Sequence, residues 1–273
     1  MYKRQQADML DAQSTKKTEM TSRFANYPSL RGKTVFITGG ASGIGAEVVT
    51  AFAEQGAQVG FVDMDITGSE ALLAKLDGTH SFAPCDLRDI AALKAAFADL
   101  ERKLGPAQVL VNNAANDVRH SIDEVDEAFW DNNQSLNLKA YFFAAQKAAR
   151  DMKSIGGGSI INMTSISYLM GQAGYISYIT ANSGINGMTR GLAREFGPDK
   201  IRVNALAPGW VLTQKQKDLW VTEEGLAAHV ARQCLKDTLE PEDILGGCLF
   251  LASQSSKMMT GQALVIDGGV VTT

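Results

Sequence analysis

Cysteine, histidine and proline are scarce in this chain, which has three cysteines, three histidines and six prolines among 273 residues. Cys85, Cys234 and Cys248 lie far apart and form no CxxC pair. Their odd number argues against a disulfide framework. We therefore expect reduced, buried thiols in a cytoplasmic protein. Because no HxxxH spacing occurs, the sequence predicts no metal site.

Long apolar runs are also absent, so the sequence predicts no membrane span. The N-terminal segment lacks the apolar stretch of a signal peptide. The formal net charge of −4 does not indicate a nucleic acid or an anionic membrane as a partner. Residues 1–28 are polar and mixed in charge, and we interpret them as an extension. We interpret residues 29–273 as one domain.

From residue 32 onward, short apolar runs alternate with amphipathic stretches. TVFIT at 34–38 is typical of a buried strand, and GIGAEVVTAFAEQG at 43–56 is typical of a helix that ends at a glycine. The alternation continues to a seventh apolar run, ALVIDGG, near the C-terminus. Continuous apolar strands separated by helices predict a doubly wound, seven-stranded parallel sheet. Ligands of such sheets bind beyond the carboxyl ends of the strands.

A glycine-rich segment, TGGASGIG at 38–45, joins the first strand to the first helix. Glycines there let the backbone approach a pyrophosphate, and the helix N-terminus favours its negative charge. The spacing of Gly39, Gly43 and Gly45 differs from the commoner GxGxxG. A turn that is merely tight is the alternative interpretation.

Polar residues follow the next strands. Asp63 ends the second strand, where a carboxylate can bind both adenosine ribose hydroxyls and would repel a 2′-phosphate. Since Met64 and Ala41 offer no positive charge, NAD is favoured over NADP; a solvated strand-end aspartate is the alternative. Asp86 follows the third strand and is predicted to reach the adenine edge. Asn113 follows the fourth strand, and we predict a mixed structural and cofactor role for it.

Taken together, five motifs resemble those of the short-chain dehydrogenase/reductase family. They are TGGASGIG, Asp86, NNAA at 112–115, Ser165 thirteen residues before Tyr178, and PGWVLT at 208–213. The resemblance covers about residues 30 to 270. It implies a Rossmann fold, hydride transfer linked to NAD or NADP, and a homotetramer or homodimer. The cofactor contacts expected from the fold and the resemblance are Gly39, Ser42, Gly43, Ile44, Gly45, Asp63, Asp86, Leu87, Asn113, Tyr178, Asn182, Pro208, Gly209, Val211 and Thr213.

The resemblance also implies catalytic roles. Tyr178 matches the base, Ser165 the residue that polarises the reacting oxygen, and Asn137 the asparagine that supports a proton-relay water. The family's lysine, four residues after the tyrosine and so on the same helix face, is replaced here by Asn182. A tyrosine with a reference pKa of about 10 is a poor base unless a cation favours its phenolate. We therefore expect a rate loss of roughly 10²–10⁴.

Two segments narrow the resemblance to bacterial aldose 1-dehydrogenases, such as those for D-xylose, L-arabinose, L-fucose and D-galactose. These segments are NDVRH at 116–120 and VLTQKQKDLWVTEEG at 211–225. A sugar needs fixed polar groups and an aromatic or apolar wall. The predicted substrate contacts are Ser165, Tyr178, Asn116, His120, Ser167, Gln172 and Trp210. Each of the last five is as well explained by loop hydrogen bonding or rim packing, and Asp117 and Arg119 could pair with each other.

The alternatives are another secondary-alcohol dehydrogenase or 3-oxoacyl reductase, and a dinucleotide-binding protein without activity. Gly184, Gly187 and Gly191 lie along one side of the Tyr178 helix. They permit close packing, either across a subunit interface or against the chain's own sheet.

Overall fold

The computed structural model describes residues 24–272 and contains one fully parallel sheet. Its strand order is β3-β2-β1-β4-β5-β6-β7. The strands are β1 Thr34–Thr38, β2 Gln58–Asp63, β3 His80–Pro84, β4 Val109–Asn112, β5 Gly158–Met163, β6 Ile201–Pro208 and β7 Ala263–Ile266. The predicted doubly wound Rossmann fold with seven parallel strands is therefore confirmed.

Ten α-helices connect or flank the strands within residues 24–272. They are α1 Gly43–Glu54, α2 Ile66–Leu73, α3 Ile90–Leu104, α4 Glu127–Gln134, α5 Ala140–Ser154, α6 Ser167–Met170, α7 Ile176–Phe196, α8 Gln214–Leu219, α9 Glu223–Arg232 and α10 Pro241–Ala252. The segment Ser135–Lys139, between α4 and α5, is a π-helical turn.

The central strands are buried on both faces, as continuous apolar runs require. One hydrophobic cluster packs α3, α5 and the end of α7 against one face of the sheet. A second cluster packs α1 and α10 against the other face. The order of the strands reverses between β1 and β4, so a crevice opens beyond their carboxyl ends.

Two local features differ from the sequence pattern. The long helix predicted over about 124–153 is divided by the π-helical turn, which places Asn137. The sequence pattern predicts no elements over 214–252, where the structure has α8, α9 and α10. Neither α8 nor α9 has a buried residue.

Residues 1–23 of the predicted extension lie outside the described residues. Phe24 and Tyr27 pack against the hydrophobic cluster of α1 and α10. The backbone N–H of Tyr27 donates to Gln55 Oε1 at 2.7 Å. No helix among residues 24–272 is long and apolar enough to cross a bilayer.

Cys85 and Cys248 are buried, but Cys234 is exposed. The expectation of three buried thiols was therefore wrong for Cys234, which follows the solvent-facing helix α9. In the part of the chain that the structure describes, no group of three or more potential metal ligands occurs.

Candidate active site

The glycine-rich turn between β1 and α1 has no room for side chains. Gly39 and Gly43 adopt positive φ angles of 70° and 54°. A Cβ atom on Gly45 would lie 1.8 Å from the Gly39 carbonyl oxygen. Ser42 precedes α1 without making a side-chain cap, so the first N–H groups of the helix remain available for an anion. Ser42, Gly43 and Ile44 all line the large cavity of the protein.

Asp63 lies at the carboxyl end of β2, on the same cavity. Its Oδ2 accepts the Ala41 N–H at 2.9 Å and its Oδ1 accepts the Asp65 N–H at 3.0 Å. These bonds fix the carboxylate beside the glycine turn. Asn113 closes the other side, because its Nδ2 donates to the Gly39 carbonyl at 2.9 Å. The residues present therefore fit a dinucleotide that has its pyrophosphate at α1 and its adenosine ribose at Asp63.

Asp86 does not line the cavity. It forms an ion pair with Arg88 at 2.7 Å, and the side-chain hydrogen bonds from Arg88 lower the pKa of its carboxyl group. The neighbouring Leu87 and Cys85 line the cavity instead. The contact of Asp86 with adenine stays a prediction, and in this structure Arg88 holds the carboxylate.

One cavity of about 900 Å³ runs from the glycine turn to α9. Its walls include 17 of the 22 residues predicted to contact cofactor or substrate or to act in catalysis. These 17 are Gly39, Ser42, Gly43, Ile44, Gly45, Asp63, Leu87, Asn113, Ser165, Ser167, Gln172, Tyr178, Pro208, Gly209, Trp210, Val211 and Thr213. Asp86, Asn116, His120, Asn137 and Asn182 are predicted residues that do not line it.

Tyr178 lies in the first turns of α7, and Ser165 lies just beyond β5. Both line the cavity. Burial, followed by the negative charge of Asp117, raises the pKa of Tyr178 to about 12. Hydrogen bonding by the side chains of Asn182 and Ser165 acts in the opposite direction. The tyrosine and serine are thus positioned to act on one oxygen, but no cation among residues 24–272 lowers the tyrosine pKa.

Asn182 is 2% exposed and lies one helical turn after Tyr178. Its Nδ2 donates to the Tyr178 backbone carbonyl at 2.9 Å. Its own backbone carbonyl accepts from Asn186 Nδ2 at 2.8 Å. The amide is therefore tied into helix α7 and lies behind the tyrosine rather than on the cavity wall.

Asn137 is also buried, at 2% exposure, in the π-helical turn. Its side chain exchanges two hydrogen bonds with the backbone of Asn116, at 2.7 and 3.0 Å, and donates to Asn133 at 2.8 Å. The side chain therefore holds the loop after β4 in place. Any contact to a relay water has to come from another atom of this turn.

Two predicted substrate residues lie behind the cavity wall. Asn116 is held through its backbone by Asn137. His120 is 8% exposed and packs its ring against Phe129. Its Nε2 lies 3.3 Å from Ser177 Oγ, and its Nδ1 lies 3.0 Å from the Val118 carbonyl. Both residues shape the loop that carries Asp117 and Arg119 to the cavity.

Asp117 and Arg119 do not form the mutual hydrogen-bonded pair considered from the sequence. Asp117 accepts from Lys215 Nζ at 2.9 Å and from Gln216 Nε2 at 2.6 Å, which joins this loop to α8. Burial opposes ionisation of Asp117, but the hydrogen bond and charge of Lys215 outweigh it, so its pKa is lowered. The Arg119 guanidinium lies 3.9 Å from the Tyr175 ring centroid and 5.5 Å from that of Trp220.

Aromatic side chains surround the reacting pair. Tyr175 stacks on Tyr178 with ring centroids 5.7 Å apart, and its hydroxyl donates to Gln172 Oε1. The Trp210 indole N–H donates to Gln216 Oε1 at 3.0 Å. The Trp210 ring packs edge-on against His229 with centroids 5.4 Å apart. This half of the cavity is therefore walled by rings that carry polar groups.

The predicted set omitted several residues of this half. Asp117, Arg119, Tyr175, Gln216, Trp220, His229 and Arg232 all line the cavity. They have no fixed spacing in sequence, and four of them lie in or between helices α8 and α9, which have no buried residue. The clustering of aromatic and charged residues after PGW was the signal that could have identified them.

Comparison with known proteins agrees with this geometry. The family model described as enoyl-(acyl carrier protein) reductase matches residues 39–271. A crystal structure of a provisionally assigned short-chain alcohol dehydrogenase from Sinorhizobium meliloti 1021 superposes with a TM-score of 0.84 at 33% identity. That match covers 89% of this chain and 98% of the other. The chain belongs to the short-chain dehydrogenase/reductase family.

Two relatives within this family are more similar in sequence. One, named "Probable galactose dehydrogenase GalD", from Rhizobium meliloti (strain 1021), is 48% identical over 92% of this chain and all of its own length. The other is a D-xylose 1-dehydrogenase from Caulobacter vibrioides, 47% identical over 90% of this chain and 98% of its own. This chain is an oxidoreductase of the short-chain family, whose dehydrogenases use NAD or NADP.

Proposed function

We propose that this chain is an NAD-dependent aldose 1-dehydrogenase that oxidises the anomeric hydroxyl of a sugar to a lactone, with a rate limited by Asn182. The observation that carries the proposal is the continuous cavity. Ser165 and Tyr178 line the same cavity as the glycine turn and Asp63, which suit a dinucleotide, and as a group of aromatic and polar side chains. The sugar dehydrogenases among its relatives support the substrate class.

The bound nicotinamide supplies the hydride acceptor and a positive charge. Tyr178 removes the proton of the anomeric hydroxyl, while Ser165 holds the same oxygen by a hydrogen bond. The aromatic rings exclude water from the reacting carbon and offer an apolar surface to the C–H face of a pyranose. Asp63 gives the preference for NAD, since its carboxylate would repel a 2′-phosphate.

The weak step is the ionisation of Tyr178. With a pKa of about 12, only about 10⁻⁵ of the tyrosine is phenolate at pH 7. Bringing that pKa to about 7 takes roughly 7 kcal/mol of preferential stabilisation of the phenolate. The positive charge of the cofactor provides part of this. The neutral amide of Asn182 adds a hydrogen bond but no charge, so we expect activity to rise into the alkaline range.

The test is production of NADH from a panel of aldoses that includes D-galactose, D-xylose and L-arabinose, measured from pH 7 to 10.5. NADP is the matched cofactor control, and Tyr178→Phe is the matched protein control. We expect oxidation of at least one aldose, faster at high pH, at least tenfold better with NAD, and abolished in the phenylalanine variant.

The other outcomes identify the alternatives. Turnover of long-chain 3-oxoacyl thioesters but of no aldose would place the chain among the reductases. Binding of NADH without turnover of any alcohol at any pH would indicate a dinucleotide-binding protein without activity. Full activity at neutral pH would contradict the role given to Asn182.

A further inference from the structure

Three side chains on the cavity wall hold buried polar atoms without a hydrogen-bond partner among residues 24–272. These atoms are Ser167 Oγ, Trp220 Nε1 and His229 Nε2. Nearly all buried polar groups in proteins have a hydrogen-bond partner. A buried polar atom without one, on the wall of a cavity, therefore indicates a contact to a ligand. Asn112 Oδ1 is also unpaired, but Asn112 ends strand β4 and does not line the cavity.

The three atoms belong to two separate segments of the chain. Ser167 is 3% exposed at the start of α6, and its backbone N–H donates to Ser165 Oγ at 3.1 Å. It is therefore adjacent to the serine that is proposed to hold the reacting oxygen. Trp220 follows α8, and His229 lies in α9. A ligand that satisfied all three atoms would bridge the segment after β5 and the segment of α8 and α9.

The chemistry of the three groups defines the ligand. The indole N–H can only donate, whereas the serine hydroxyl can both donate and accept. Burial, followed by the charge of Arg232, lowers the pKa of His229. A neutral imidazole offers one donor and one acceptor. A molecule with several hydroxyl groups around a compact ring meets this combination, and an acyl chain does not.

We propose that Ser167, Trp220 and His229 are the specificity-determining contacts to the ring hydroxyls of the aldose other than the reacting hydroxyl at C1. This inference rests on the proposed function. A contact of this kind discriminates strongly, because a substrate lacking the matching hydroxyl leaves a buried polar group unpaired.

The experiment pairs single variants with deoxy sugars. Ser167→Ala, Trp220→Phe and His229→Phe each remove one polar atom and keep most of the packing. Each variant is assayed with the aldose that this chain oxidises best and with its 2-, 3- and 4-deoxy analogues. Trp130→Phe is the matched control, because Trp130 does not line the cavity.

We expect each variant to lose about tenfold or more in kcat/KM for the parent aldose, with the KM for NAD unchanged. Each variant should lose almost nothing further with one particular deoxy analogue, because that analogue lacks the hydroxyl that the residue binds. Equal losses with every analogue would show a structural role and overturn the inference. Unchanged kcat/KM in all three variants would also overturn it.

Binding separates this inference from the proposed function. The same aldoses are titrated by calorimetry into the protein saturated with NADH, where no oxidation occurs. Binding that the three variants weaken, without turnover at any pH, would sink the proposed function and leave the inference standing. Absence of binding by D-galactose, D-xylose and L-arabinose to the unsubstituted protein would overturn both.

Discussion

The two halves of the cavity differ in how their polar atoms are used. In the cofactor half, side chains bond to the backbone of the glycine-rich turn, as Asp63 does to Ala41 and Asn113 does to Gly39. In the substrate half, Ser167, Trp220 and His229 hold polar atoms without partners among residues 24–272. The cofactor half therefore has the fixed shape that suits the proposed dinucleotide. The substrate half has free hydrogen-bonding groups that suit the hydroxyls of the proposed sugar.

The difference follows from the elements that build each half. The cofactor half is formed by the ends of β1, β2 and β4, which the core fixes on both faces. The substrate half is formed mainly by α8 and α9, which bury no residue completely. It is held to the rest by side-chain bonds such as Lys215 to Asp117. Substitutions in the cofactor half should therefore cause large losses of activity, and substitutions in the substrate half smaller ones.

The largest effect is expected from Gly45→Ala in the cofactor half. Its Cβ would lie 1.8 Å from the Gly39 carbonyl, so the turn has to open. Since a displacement of about 1 Å can cost roughly 10²-fold in rate, we expect kcat/KM to fall by about 100-fold or more. Binding of NADH, followed by its fluorescence, should weaken in parallel.

Gly246→Ala is the matched control, because Gly246 lies in α10 and its Cβ would meet no atom within 4 Å. In a helix this change is expected to stabilise by about 0.5–1 kcal/mol, seen as a small rise in Tm. Equal losses in the two variants would contradict a specific role for the turn.

An intermediate effect is expected where the two halves meet, from Asn182→Lys. A cation beside Tyr178 favours the phenolate, so the tyrosine pKa falls from its raised value of about 12. Because the phenolate is the proposed base, the pH profile of kcat/KM should move to lower pH, with a gain at pH 7 of about tenfold or more. Position 182 is only 2% exposed, so the lysine should also lower Tm.

Asn182→Gln is the control, since it lengthens the side chain without adding charge. Its pH profile should remain where that of the asparagine protein lies. A profile that does not move with lysine would show that the cofactor's charge alone sets the pKa of Tyr178.

The smallest effect is expected in the substrate half, from Asp117→Asn. The bond to Lys215 is partly exposed, so its loss should raise the KM for the sugar by about two- to fivefold. The charge of Asp117 raises the pKa of Tyr178, so its removal should move the pH profile to lower pH. A rise in KM without that shift would show that Asp117 only positions α8.

Asp218→Asn removes the same charge from α8 itself, where Asp218 accepts only from Gln214 of that helix. This variant should change neither the KM nor the pH profile.

Subunit packing remains a separate prediction. A Cβ atom on Gly184 would lie 2.9 Å from Leu138 Cδ2 of the same chain, whereas one on Gly187 or Gly191 would meet no described atom within 4 Å.

The sequence by itself determined the sheet and the cofactor half. Seven apolar runs specify buried parallel strands, and the glycine turn and Asp63 follow two of them directly, so local order places them at the same edge. Ser165 and Tyr178 were identified through the resemblance to the short-chain family, in which the serine precedes the tyrosine by thirteen residues.

Only the tertiary structure decided the substrate half. Asp86 and His120 follow the sheet strands at positions that suggested ligand contacts. In the structure, Asp86 forms an ion pair with Arg88, and the His120 ring packs against Phe129. Trp220 and His229 reach the cavity because α8 and α9 fold back over it, tied by Asp117. Such contacts join residues about a hundred positions apart, and neither periodicity nor spacing encodes them, since their free energy comes from long-range pairing rather than from local preference.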